Sequence, residues 1–144
     1  MSKRLFLAAL SFTVFVLEAC SIENAFPDDK LDYYWRLDRI EYKGGVNFFG
    51  DSCQSEDIEN TMFGFARHMV VIEDLSRDFT RHGVTSEMGD SIKMDFSMYE
   101  DDSLNHYLCY SGLDNVVTTF KKDFPDKNHL VLSSAKAILR LRKW

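Results

Sequence analysis

The sequence lacks the short motifs that mark common catalytic and phosphate-binding sites. It contains no Gly-x-Ser-x-Gly, no His-Glu-x-x-His, no glycine-rich phosphate loop and no calcium-loop pattern. The histidines are scattered along the chain, and surface or rim positions explain them better than catalysis does: His68, His82, His106 and His129. We therefore predict that the chain is not an enzyme and binds no cofactor.

Basic residues are also fewer than acidic residues. The chain has 17 Lys and Arg against 23 Asp and Glu, a formal net charge of −6. Nucleic-acid binding depends largely on Lys and Arg neutralising phosphates, so an acidic chain argues against a nucleic-acid partner. The same balance argues against attachment to an anionic membrane by charge alone.

Long hydrophobic runs are absent. The longest, Leu5 to Leu17, has thirteen residues, whereas a membrane-spanning helix needs roughly 20. The run follows Lys3 and Arg4, and Glu18 and the small residue Ala19 come after it, which is the pattern of a secretory signal. We predict that residues 1–19 are a cleaved signal peptide.

A cysteine directly follows this signal. Leu17-Glu18-Ala19-Cys20 resembles the lipobox of bacterial lipoproteins. The resemblance implies that Cys20 receives a diacylglycerol and becomes the first mature residue, so the membrane would be a partner through this lipid. We expect an outer-membrane-anchored lipoprotein on the periplasmic or the cell-surface face. The alternative is a cleaved signal without lipidation.

Without the signal the chain carries a formal charge of −7, and residues 20–32 form a short polar tether interrupted by Pro27. Lipid on Cys20 would leave Cys53 and Cys109 as an even pair in an oxidising compartment, which favours a disulfide. Two separate buried thiols are the alternative. A metal site is not expected, because neither cysteine belongs to a Cys-x-x-Cys pair.

From Tyr33 onward, apolar residues mostly recur at every second position between turn residues, which is typical of antiparallel strands. In the first run Trp35 and Leu37 share a face, and Ile40 continues it one residue out of phase. This shift predicts a β-bulge near Asp38-Arg39.

The next run, residues 61–73, predicts one strand. Its apolar face consists of Phe63, Phe65, Met69 and Val71. A helix stays open for the first half, because Ile58, Met62 and Phe65 fall at helical spacing.

Further strands follow at residues 78–85, 91–98 and 115–121, with a short helix at 103–110 and a turn at 125–128. The most regular strand, 91–98, places four apolar residues on one face: Ile92, Met94, Phe96 and Met98. A closing hairpin pairs residues 129–133 with 137–143.

This order of features resembles the small lipocalin-like domains of Bacteroidetes lipoproteins over residues 33–144. The residues that carry the resemblance are Trp35, Leu37, Leu104, Leu108, Gly112, Leu130, Leu132, Leu139, Leu141 and Trp144. It implies a mainly β fold, an antiparallel up-and-down barrel of about eight strands with one short helix. We expect Trp35 at the closed end beside the last strand, and a ligand mouth at the other end near the loop 47–57.

Two functions remain open. The first is a binding module that holds a small apolar or amphipathic ligand in the barrel; its candidate contacts are Phe63, Phe65, Met94 and Phe96. The second is a tethered accessory or inhibitor module that binds another envelope protein through its loops. A cavity would favour the first function, and a packed interior with an exposed aromatic patch would favour the second.

Overall fold

The structure, a computed structural model, describes residues 30–43, 58–98, 111–113 and 115–144. Eight antiparallel strands follow one another in chain order and close into a barrel. Their bounds are β1 Tyr34–Tyr42, β2 Thr61–Ala66, β3 Met69–Asp74, β4 Phe79–Met88, β5 Ser91–Asp95, β6 Val117–Asp126, β7 His129–Ser133 and β8 Ala137–Lys143. The prediction of an antiparallel, lipocalin-like up-and-down barrel is confirmed.

The alternating pattern of the sequence produces the two surfaces of the barrel wall. On β7 and β8, Leu130, Leu132, Leu139 and Leu141 are buried, whereas Arg140 and Arg142 lie outside. Successive side chains of a strand point to opposite faces, so each strand contributes every second residue to the core. The inner surface is filled by large buried side chains, including Trp35, Leu37, Phe63, Ile72, Ile92, Met94, Phe96 and Phe120.

Strand β1 pairs with β8 and closes the barrel. Trp35 lies opposite Lys143, Leu37 lies opposite Leu141, and the register shifts between Leu37 and Arg39. The shift is the β-bulge expected from the change of phase in the sequence, and it returns Ile40 to the side of the core.

One end of the barrel, which we call the closed end, is sealed by the residues before β1. Leu31 is buried in the core, and its carbonyl oxygen accepts hydrogen bonds from the Trp35 indole N–H at 3.0 Å and from the Tyr33 backbone N–H at 2.7 Å. The Tyr33 carbonyl in turn accepts a hydrogen bond from the Phe65 N–H of β2. Leu31, which the sequence places in the tether, is therefore part of the folded barrel.

The run 61–73 is a hairpin of two strands, not one strand, and not a helix in its first half. Arg67 and His68 form the turn, with a positive φ of 54° at Arg67. A two-residue turn puts directly opposed residues on the same face, so Phe65 and Val70 both point inward. Met69, predicted to face the core with Val71, is consequently 55% exposed.

Three other strand boundaries also differ from the predictions. Strand β5 ends at Asp95, so Phe96 is buried but Met98 is exposed rather than inward-facing. Strand β4 continues to Met88, because the turn that follows it needs only Gly89 and Asp90. Strand β6 continues through Pro125 to Asp126, past a register irregularity that accommodates the missing proline N–H.

Several predictions fall on residues outside the described ranges. They concern the signal peptide, the lipidation site Cys20, the cysteine pair Cys53 and Cys109, the loop 47–57 and the helix 103–110. Each stays a prediction. Within the described ranges, no helix combines the length and the hydrophobicity that crossing a bilayer would require.

Replacing Trp35 by alanine should lower the free energy of unfolding by about 3–5 kcal/mol, because a large buried aromatic side chain leaves a cavity behind. Trp144 is the matched control, since it is 75% exposed and its replacement should change stability by no more than about 0.5 kcal/mol. Urea denaturation of the two variants provides the comparison. Equal losses would contradict the place of Trp35 in the barrel core.

Gly112→Ala and Gly89→Ala separate backbone strain from steric collision. Both glycines have positive φ, 75° and 61°, so alanine should cost about 1–2 kcal/mol of stability at either position. A Cβ at Gly112 would also collide with Cδ2 of the buried Leu139, whereas Gly89 faces open space. Gly112→Ala should therefore lose a further 1–3 kcal/mol or so, and identical thermal unfolding of the two variants would refute this.

Candidate binding site

The four side chains predicted to contact a ligand all lie in the hydrophobic core. Phe63, Met94 and Phe96 are fully buried, and Phe65 is nearly so. The Phe63 and Phe65 rings stack with their centroids 6.4 Å apart. Phe63 lies directly opposite Trp35, which places it in the half of the barrel near the closed end. At these positions the inner wall is occupied by the protein's own side chains.

Two charged residues, Asp74 and Arg81, are buried at inward-facing positions of the barrel wall. Arg81 lies on β4 opposite Ile72 and is only 2% exposed. Arg81 was not among the predicted site residues, although the alternation of Phe79, Gly83 and Thr85 with exposed residues assigns it to the inner face. Its neighbour His82 points outward, as expected.

A cavity of about 420 Å³ lies at the closed end. It is lined by residues from three separate parts of the chain: Lys30, Tyr33, Phe124, Asp126, Lys127 and Lys143. Three ammonium groups and two aromatic rings thus share the cavity with one carboxylate. This composition differs from that of the acidic chain as a whole.

Barrel closure positions Lys143 in the lining of the cavity. The pairing of β1 with β8 fixes Lys143 opposite Trp35, next to Tyr33. The Lys143 Nζ lies 3.0 Å from the centroid of the Tyr33 ring, a cation–π contact that holds the ammonium group over the aromatic face. The cavity therefore presents a positioned positive charge beside an apolar surface.

Phe124 connects the cavity to the core. Its ring packs against Trp35 with centroids 6.1 Å apart and planes inclined by 55°. Phe124 itself is half-buried. Because Trp35 is buried and its indole N–H bonds to the Leu31 carbonyl, the aromatic part of the lining rests on a fixed residue of the core.

The single acid of the lining, Asp126, is ionised at neutral pH. The backbone N–H of Asn128 and the side chain of His129 lower the pKa of the Asp126 carboxyl below its ordinary value of 3.8. His129 Nδ1 lies 2.9 and 2.8 Å from the two carboxylate oxygens. The carboxylate is thus already engaged at the β6–β7 turn, and three of the four charged side chains of the lining are lysines.

A second surface lies on the outer wall of β1, β2 and β3. A cavity of about 360 Å³ is lined there by Tyr34, Arg36, Asn60, Met62, Glu73, Leu75 and Trp144. Leu75 and Trp144 are largely exposed, and the Arg36 guanidinium carbon lies 5.9 Å from the Trp144 ring. We call this surface the Tyr34–Trp144 patch.

The described histidines do not form a site. His68 and His82 lie on the outside of the barrel, and His129 interacts with Asp126. Across residues 30–43, 58–98, 111–113 and 115–144, no group of three or more His, Cys, Asp or Glu side chains could hold a metal ion. His106 is outside these ranges.

The sequence matches the family of lipocalin-like domains over residues 13–144. The chain belongs to this family. A comparison with curated proteins finds none that matches significantly.

Two solved structures are similar in fold. A lipocalin-like protein from Bacteroides uniformis is 21% identical, with a TM-score of 0.60, and the match covers 80% of this chain and 99% of that one. An uncharacterized protein from Bacteroides eggerthii is 12% identical, with a TM-score of 0.58, covering 79% and 99% respectively. At these identities the likeness establishes the shared barrel only.

The closed-end cavity could not be predicted from the sequence, for a physical reason. Lys30, Lys127 and Lys143 lie far apart in the sequence, and no spacing rule links them. Only the pairing of β1 with β8 and the β6–β7 turn bring them to one end. The expected mouth near the loop 47–57 is at the opposite end, and that loop lies outside the described residues.

Proposed function

We propose that this lipocalin-like protein is a lipid-anchored, non-catalytic binding protein of the cell envelope. Its ligand is a small amphipathic molecule with an acidic group, bound in the closed-end cavity. The observation that carries the proposal is the lining of that cavity, in which lysines from three chain segments surround two aromatic rings. A volume of about 420 Å³ is in the usual range for small-molecule sites, roughly 300–1,000 Å³.

The chemistry of the lining selects the ligand class. The rings of Tyr33 and Phe124 offer an apolar surface to a hydrocarbon or aromatic group. Lys127 and Lys143 offer ammonium donors to a carboxylate or phosphate. Ionised Asp126 disfavours a second acid close to the β6–β7 turn, so a ligand with a single acidic group at one end fits best.

The packed interior supports a site at the end of the barrel rather than inside it. Trp35, Phe63 and Phe96 are buried with almost no exposed surface. A ligand at their level would need to displace core side chains, and interiors packed at crystal-like density resist such changes. The closed-end cavity requires no such displacement.

A second candidate function is the tethered accessory or inhibitor module. The Tyr34–Trp144 patch favours it, because exposed apolar surface around a cavity is typical of protein interaction sites. If the protein has this second function, the outer wall of β1–β3, rather than the loops, would contact another envelope protein.

Attachment to the membrane rests on Cys20 and the signal before it. Cys20→Ser should abolish lipidation, because the acceptor thiol is lost, and should leave either an unprocessed precursor or a soluble protein. Detergent phase partitioning and intact mass would measure this, with Cys53→Ser as the matched control that keeps the lipid. Normal processing and unchanged partitioning of Cys20→Ser would reject the lipoprotein assignment.

The ligand site is tested by charge reversal. We expect dodecyl phosphate to bind the protein and the double variant Lys127→Glu/Lys143→Glu to bind it about tenfold more weakly, a loss of about 1.4 kcal/mol. Isothermal titration calorimetry measures both affinities. Lys136→Glu is the control, because this exposed lysine precedes β8 at the opposite end.

Dodecyl maltoside has the same alkyl chain and an uncharged headgroup, so it should separate the contribution of the lysines from that of the aromatic rings. It should bind more weakly than dodecyl phosphate and respond little to the lysine variants. Native mass spectrometry of the detergent-extracted protein would then identify a co-purified ligand. Equal affinity of the charge-reversed and unchanged proteins for dodecyl phosphate would remove the closed-end cavity as its site.

A further inference from the structure

Resting on the proposed function, we infer that the acidic ligand of the closed-end cavity is the headgroup of an anionic phospholipid in the anchoring membrane. The closed end of the barrel would then face the bilayer, and the end carrying the long β1–β2 and β5–β6 connections would face away from it. Three independent features of the closed end support this orientation.

The first feature is where the chain enters the barrel. Leu31 is buried, and hydrogen bonds from Tyr33 and Trp35 to its carbonyl hold it at the closed end. Lys30, the residue before it, lines the cavity. Cys20 precedes Lys30 by only ten residues, a length that spans at most about 35 Å when fully extended. A lipid on Cys20 would therefore keep the closed end near the membrane surface.

The second feature is the exposed side chains at this end. Tyr33 is 45% exposed, Trp144 is 75% exposed, and Met88 at the end of β4 is 82% exposed. Tyrosine and tryptophan favour the interface between lipid and water, because each combines an apolar ring with a polar group. The exposed aromatic residues Tyr33 and Trp144 lie at the end of the barrel that the tether joins, and are thus suited to the headgroup region.

The third feature is the local sign of charge. The chain as a whole is acidic, yet Lys30, Lys127 and Lys143 gather around one cavity with Asp126 as its single acid. Basic residues near a bilayer are attracted by anionic headgroups. The cluster is too small to bind a membrane by charge alone, but a protein already held by lipid needs only enough attraction to set its orientation.

Trp144 is the reporter for the test. The full-length protein, produced with its own signal, would be reconstituted into vesicles of phosphatidylcholine alone or of equimolar phosphatidylcholine and phosphatidylglycerol. Part of the phosphatidylcholine would be brominated near the ester end of its acyl chains, where it quenches tryptophan close to the headgroups. We expect quenching to be at least twofold stronger in the anionic vesicles, and Trp144→Phe to abolish it because Trp35 is buried.

Charge variants make the test specific to the cavity. Lys127→Glu/Lys143→Glu should reduce the quenching in anionic vesicles to the level seen with phosphatidylcholine alone, whereas Lys136→Glu should leave it unchanged. Millimolar inorganic phosphate should not reverse the quenching. Reversal by phosphate would show that the cavity binds a free anion and would overturn the phospholipid assignment.

The outcomes separate this inference from the proposed function. Binding of dodecyl phosphate in solution without quenching of Trp144 would leave the proposed site intact and overturn the membrane-facing orientation. Quenching that depends on the lysines would support the orientation even if no soluble amphiphile binds. If dodecyl phosphate did not bind and Trp144 were not quenched, both the cavity as a ligand site and the membrane-facing orientation would be rejected.

Discussion

Strand β1 pairs with β8 from Trp35 opposite Lys143 to Tyr42 opposite Ala137. This pairing joins the first and last strands of the chain, so every strand has two neighbours and the sheet has no open edge. It also holds Trp35 over the closed end, where its indole N–H meets the Leu31 carbonyl. The packed core, the seal at the closed end and the position of the carboxyl terminus all depend on this one contact between strands.

The same closure creates the surface on which we base the function. Lys143 forms the last residue pair between β8 and β1, and Trp144 follows it, so the register of β8 against β1 places them beside Tyr33 and Tyr34. Phe124 reaches the same place from β6 and rests on Trp35. A buried residue of the core, Trp35, thus supports one side of the cavity. A ligand would bind at the end of the barrel because large side chains occupy its interior.

The predictions from the sequence were wrong where the chain makes a short turn. One or two residues of such a turn decide which face of the sheet the following side chains point to. Arg67-His68 carries none of the usual turn residues, so the β2–β3 hairpin was predicted as one strand. Because side chains alternate with a period of two, this misplaced Met69 and Val71 on the inner face. The bulge at Asp38, by contrast, was predictable, since the apolar pattern itself changes phase there. The closing hairpin was predicted with its observed bounds because its alternation is uninterrupted.

The sequence by itself determined that this chain forms short antiparallel strands, because apolar residues recur at every second position between turns. The closed barrel was implied by the family resemblance, and the pairing of β1 with β8 shows it. The sequence also determined that Trp35, Leu37, Leu139 and Leu141 lie inside, since each alternates with charged residues on its strand. Only the tertiary structure decided that the interior is filled at Phe63, Met94 and Phe96, because filling depends on how side chains from opposite walls meet. It alone gathered Lys30, Lys127 and Lys143, since barrel closure and a hairpin turn, not their spacing along the chain, bring them to one end.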